Sequence, residues 1–117
     1  MKRAISDRFP FVEIAWEVRG QSGQILAFID TGFDGYLMLP SEWLYQFGMP
    51  DTLDWWQLAD GSIVVTPVYE GFASIKGIDE HLPVKVIVMG DEVIVGLKFL
   101  CHYLVILERG QRVIVEP

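Results

Sequence analysis

Short apolar runs separated by glycine-rich and acidic turns organise this chain. Residues 11–19 alternate apolar and polar side chains, the period-two pattern of a strand with one buried face. Gly20-Gln21-Ser22-Gly23 is a turn cluster, and the mostly apolar run 24–29 suits a buried strand ending at Asp30. Two glycines within residues 31–35 turn the chain sharply before a short strand over 36–39. Pro40-Ser41 predicts a helix with Ser41 as N-cap and Glu42 in its first turn, stopped by Gly48 and Pro50. Residues 53–59 and 62–69 predict a hairpin around Asp60-Gly61, a dipeptide suited to the type I′ turn with positive φ at both central positions. Strands follow over 72–76 and 82–89, then a helix over 97–103 preceded by Gly96, then strands over 105–107 and 112–115 around Arg109-Gly110. Residues 1–9 have little strand pattern. The expectation is one mainly-β domain over 1–117, with eight or nine short strands and two short helices in a closed or sandwich-like barrel.

Composition strengthens the sheet reading: Val, Ile, Phe, Tyr and Trp are frequent and Ala is sparse. With 51% apolar residues in 117, a packed core can form in a single domain. The formal charge of −7 argues against a nucleic-acid partner, because a phosphate backbone is bound by clustered Lys and Arg and the nine here are scattered. Lys2-Arg3 reads as a solvated end. A single cysteine, Cys101, excludes an intrachain disulfide and fits a reducing cytoplasm. Residues 1–9 lack the apolar segment of a signal peptide. The nearly apolar stretch 93–107 is broken by Gly96, Lys98 and His102 and is too short to span a bilayer, so no membrane association is expected.

The candidate chemistry lies in Phe28-Ile29-Asp30-Thr31-Gly32, where an ionisable residue ends an apolar strand. A buried carboxylate is costly unless it is paired, hydrogen-bonded or protonated. The turn offers donors in the Thr31 hydroxyl and the backbone near Gly32, while a plain β-turn cap is the simpler reading of the same Asp. Elsewhere the signals are weak. Cys101 and His102 are adjacent and diverge on a helix, and no second His or Cys lies at metal spacing. His81 is isolated, Cys101 is expected in the core, and no metal or other cofactor is expected. Asp51, Asp54, Asp79, Glu80, Asp91 and Glu92 sit in turn-like contexts and read as solvated acids, not as a glycosidase pair.

Asp30-Thr31-Gly32 after apolar Leu26-Ala27-Phe28-Ile29 resembles the active-site signature of the retropepsin-like aspartic proteases, and the run to Pro40 resembles their small prokaryotic members. Asp60-Gly61-Ser62 stands where that family places its flap, and Ile94-Val95-Gly96 before the helix resembles its second signature. The resemblance covers nearly the whole chain and implies the acid-protease closed barrel, with peptide or protein as substrate. It makes Asp30 the catalytic carboxylate. Thr31 would hold the two active-site turns of a dimer together, Gly32 would offer backbone contacts, and Asp60, Gly61 and Ser62 would close over the peptide. Ile94, Val95 and Gly96 would line subsites for apolar segments, and Trp55 and Trp56 would pack on the barrel or on substrate. The chemistry needs two carboxylates sharing a proton, and one Asp-Thr-Gly per chain then implies a homodimer. Two departures stand out. Phe33 replaces the usual Ala or Ser, a ring expected to narrow the cleft or fill a subsite, and Leu97-Lys98 replace the usual Arg followed by Asp or Asn, with a Lys98–Asp34 pair as the expected substitute. The alternative implied by these departures is a catalytically silent dimeric peptide-binding or assembly module on the same fold.

Overall fold

Alternation along residues 11–18 sets the barrel wall: Val12, Ile14, Trp16 and Val18 are buried while their neighbours are partly or fully exposed. The computed structural model describes residues 3–117, so of the Lys2-Arg3 pair Lys2 lies outside the described residues, and Arg3 approaches Glu116 at 3.8 Å. The strands are β1 (Ala4–Ser6), β2 (Phe11–Val18), β3 (Gln21–Ile29), β4 (Leu37–Leu39), β5 (Thr52–Gln57), β6 (Ile63–Ile75), β7 (Leu82–Val88), β8 (Ile94–Val95), β9 (Leu104–Glu108) and β10 (Arg112–Glu116). Two single-turn helices, α1 (Leu44–Phe47) and α2 (Leu97–Leu100), complete the list.

Six strands close a mixed barrel in the order β2-β3-β8-β4-β7-β6, with β2 pairing back onto β6. Strand β8 runs parallel to β3 and antiparallel to β4, which in turn runs parallel to β7. A separate antiparallel sheet, β1-β10-β9, packs Val113 and Val115 into the same core as Ile14, Leu37, Ile75, Val84 and Phe99. Each such fully buried side chain contributes about 1.5–3 kcal/mol.

Strand β6 is one 13-residue strand where two were expected. Gly71, which reads as a break, is the seam of the barrel: a Cβ there would lie 2.5 Å from the Glu17 carbonyl oxygen. Its absence lets β2 approach, in register Val18 with Gly71. The first five residues of β6 pair only with β5, so the β5–β6 hairpin projects beyond the barrel. A latch holds its base. The Arg19 guanidinium lies 5.3 Å from the Tyr69 ring centroid and donates to Met49 O (2.7 Å) and Asp51 Oδ1 (3.1 Å). The other Asp51 oxygen accepts the Glu70 N–H at 2.8 Å.

Several local expectations change. Positive φ at both central positions occurs at Arg19-Gly20 and Arg109-Gly110, not at Asp60-Gly61, where only Gly61 is positive. Leu58 N donates to Ser62 O and Gly61 N to Leu58 O, so the hairpin uses a three-residue loop with one left-handed residue. Because β3 already begins at Gln21, the 20–23 cluster is a tight turn followed by strand. Ser41 does not cap a helix; Pro40 leads into a 3-10 turn over Ser41–Trp43 with no side-chain cap. The 97–103 helix shortens to α2, which turns Cys101 outward instead of into the core, its Sγ–H donating to Lys98 O at 3.3 Å. Residues 4–6, expected to be irregular, form β1 because β10 supplies the pairing that their own sequence does not advertise.

Gly71→Ala is expected to lower stability by about 1–3 kcal/mol, since backbone and not a flexible side chain must yield; urea unfolding measures this. Tyr103 gives a pH test. Burial, with Glu80 adding to it, pushes its phenol up to about 12. The unfolded chain ionises near pH 10, so stability is retained below that and declines as pH rises through 12. Tyr103→Phe should remove this alkaline step from urea titrations run between pH 9 and 12.

Candidate active site

The Asp30 turn is held from below by β8. Phe28 N donates to Val93 O (2.8 Å) and Asp30 N to Val95 O (3.1 Å), so the parallel ladder ends at the carboxylate itself. The chain then crosses to β4 on the other side of β8, and three carbonyls of the crossing loop are satisfied by the segment after β8. Gly96 N donates to Tyr36 O (3.1 Å), Leu97 N to Phe33 O (2.9 Å) and Lys98 N to Gly35 O (3.1 Å). Gly96 is required by this contact: a Cβ would sit 2.5 Å from Phe33 O, Gly35 O and the Phe33 ring.

Asp30 is half-buried, and Thr31 and Gly32 are exposed beside it. Asp30 Oδ1 accepts the Gly32 N–H at 2.8 Å, which orients one carboxylate oxygen along the turn. A Cβ on Gly32 would stand 3.2 Å from that oxygen and crowd it. The result is an aimed carboxylate on a solvent-accessible turn, able to exchange a proton with a bound water or ligand.

Asp30 opens onto a cavity of about 350 Å³ between the loop and the hairpin. Leu58 and Ala59 reach it from the hairpin, while Asp60, Gly61 and Ser62 form the exposed tip beyond. At that tip Asp60 Oδ1 accepts both the Ser62 hydroxyl (2.6 Å) and its N–H (2.9 Å), which holds the Asp60 carboxyl below the usual carboxylate range. Phe33 does not protrude into the cavity as an obstacle. Its ring is buried with Val68 and Ile87 and lies 5.2 Å from the Trp56 ring, forming part of the cavity wall. Alternation along β5 puts Trp56 on this side and leaves Trp55, 72% exposed, on the other.

The second signature divides. Ile94 lines the cavity, Val95 is fully buried in the core and does not line it, and Gly96 lies beneath the loop. The expected Lys98–Asp34 pair is not formed among the described residues. Lys98 instead lines a small neighbouring cavity of about 50 Å³ with Tyr36, Asp54 and Lys85. Met38, Ile87 and Met89 line the main cavity and were not anticipated, because in a barrel with apolar residues on both faces alternation does not reveal which face meets a ligand. His81, Cys101 and His102 are exposed, and among the described residues no group of three or more His, Cys, Asp or Glu side chains is placed to hold a metal ion.

No protein-family model matches this sequence, and no curated protein matches it. The fold is similar to that of a retropepsin-like aspartic protease from Rickettsia conorii, with a TM-score of 0.61 and 16% sequence identity over 97% of this chain and 89% of that one. The chain thus has the retropepsin-like fold, a closed six-stranded mixed barrel with short helices.

Phe33→Ala should cost about 3–5 kcal/mol in urea unfolding, since it empties a buried ring site. Phe33→Leu should cost less than about 1.5 kcal/mol. A negligible cost for the alanine variant would mean that the ring is not part of the packed floor.

Proposed function

We propose that the chain is a homodimeric aspartic endopeptidase to which each subunit contributes one Asp30. The observation that carries this reading is the Asp30 carboxylate, oriented by the Gly32 N–H on an exposed turn and facing a cavity covered by a projecting hairpin. One such carboxylate per chain is half a site, and a two-fold axis would bring a second Asp30 beside it. A groove of about 280 Å³ in which Thr31 lies with the exposed, apolar Leu97 and Leu107 supports burial of this side against a second copy.

In that dimer, two carboxylates about 3 Å apart share one proton. The ionised Asp30 takes a proton from water as the water oxygen bonds to the scissile carbonyl carbon. The protonated Asp30 gives its proton to the carbonyl oxygen. The resulting tetrahedral diol collapses as the newly protonated Asp30 transfers its proton to the amide nitrogen, the C–N bond breaks, and one diol hydroxyl becomes the new carbonyl by giving its proton to the other Asp30, which restores the shared proton. The hairpin tip, Asp60 to Ser62, would move to admit an extended peptide and then exclude bulk water. Ile94 and Phe33 would meet apolar side chains.

Phe33, which stands where the resembled family has Ala or Ser and packs against Trp56 in the cavity wall, favours a second reading: a dimeric module that binds peptides or serves assembly without cutting. Wild type and Asp30→Asn, incubated with an unfolded protein across pH 4 to 8 and analysed by mass spectrometry, distinguish the two. The peptidase reading expects cleavage by wild type alone, fastest below neutral pH, with both proteins folded. A rate that climbs steadily through pH 8, or cleavage retained in Asp30→Asn, contradicts it. An intact dimer that never cleaves favours the binding module.

A further inference from the structure

The chain's net charge is confined to the half that builds the cleft. Residues 20–75 contain seven carboxylates and no lysine or arginine, whereas the rest of the chain carries nine acids and nine bases. A surplus serving only solubility would be spread over the surface. Here it falls on the segment that supplies the Asp30 loop, β4, the β5–β6 hairpin and its tip. Not every member bears on the cleft: Asp51 is paired with Arg19, and Glu42 lies in the 3-10 turn before α1. Asp30 and Asp34 line the main cavity, Asp60 stands at the hairpin tip, and among the described residues no cationic side chain lines that cavity. Lys85 and Lys98 border only the small neighbouring cavity, which they share with Asp54. The hydrogen bonds from Ser62 keep the Asp60 carboxyl ionised into acidic solution.

We infer that this cleft selects cationic polypeptides: extended segments in which apolar residues are flanked by lysine or arginine. The inference rests on reading the cavity beside Asp30 as a polypeptide cleft, and adds the charge of its occupant. Apolar walls at Phe33, Met38, Trp56 and Ile94 take the uncharged side chains, and the flexible methionine adapts to their shapes. The unneutralised carboxylates of loop and tip attract the flanking cations, and an acidic peptide meets like charge at each of them. A dimer would present this set twice.

The test uses three fluorescent peptides of about eight residues with one shared apolar centre and flanks of lysine, serine or glutamate. Binding to Asp30→Asn is read by anisotropy at low salt and at about 0.5 M NaCl, and cleavage by wild type is read in parallel. The lysine peptide is expected to bind about tenfold more tightly than the glutamate peptide at low salt, with serine between them. At high salt the difference should shrink to about threefold or less, because exposed charges are screened. Asp34→Asn combined with Asp60→Asn should narrow the low-salt difference. Equal affinities, a glutamate preference, a preference insensitive to salt, or no binding of any peptide overturns the inference. A lysine preference without cleavage supports it while removing the peptidase reading, and cleavage without charge preference does the reverse.

Discussion

A turn that carries a half-buried carboxylate keeps its shape only if the polar backbone around it is satisfied, and two residues of β8 with the segment that follows do this. Their carbonyl and N–H groups bond to Asp30 on one side and to Phe33, Gly35 and Tyr36 on the other. Each such bond contributes about 0.5–1.5 kcal/mol net, and leaving its buried partner unpaired costs about 1–3 kcal/mol. The crossing works only with glycine at 96, where any side chain would strike Phe33 and Gly35. Strand β8 can thread between β3 and β4 because both neighbours already belong to the barrel wall. The carboxylate is therefore placed by long-range sheet closure as well as by the tripeptide that contains it.

Phe33 extends the same constraint to the hairpin. Its carbonyl accepts the Leu97 N–H, its ring fills the space that Gly35 and Gly96 leave open, and its outer face meets Trp56. Loop, β8 and hairpin thus share one side chain. The hairpin is held by this ring contact and by the Arg19–Asp51 latch at its base, so Phe33 links the floor of the cavity to the hairpin above it.

Much of this was legible in the sequence. Asp30-Thr31-Gly32 after an apolar run announced the turn, and the hairpin position followed from Asp60-Gly61, although the turn proved to be a three-residue loop. Other features were not legible, for physical reasons. Gly71 marks a strand break in local terms, and only the approach of β2 shows that it is the closing seam. Strand β1 draws its order from β10, a partner more than a hundred residues away in the chain. Val95 and Ile94 look equivalent in sequence, yet one fills the core and the other lines the cavity, because a two-residue strand between two neighbours must divide its faces. The Lys98–Asp34 pair is not formed among the described residues, and Lys98 instead borders a small cavity with Tyr36 and Asp54.

The central claim is that two Asp30 carboxylates from separate chains make one site, and subunit mixing tests it most directly. Wild-type protein would be equilibrated with increasing Asp30→Asn protein at constant wild-type concentration, and the cleavage rate followed. If each site needs both carboxylates, three equivalents of variant should reduce the rate to about one quarter by random pairing. A rate that stays constant as the inactive subunit is added would show that a single Asp30 suffices, and would contradict the account.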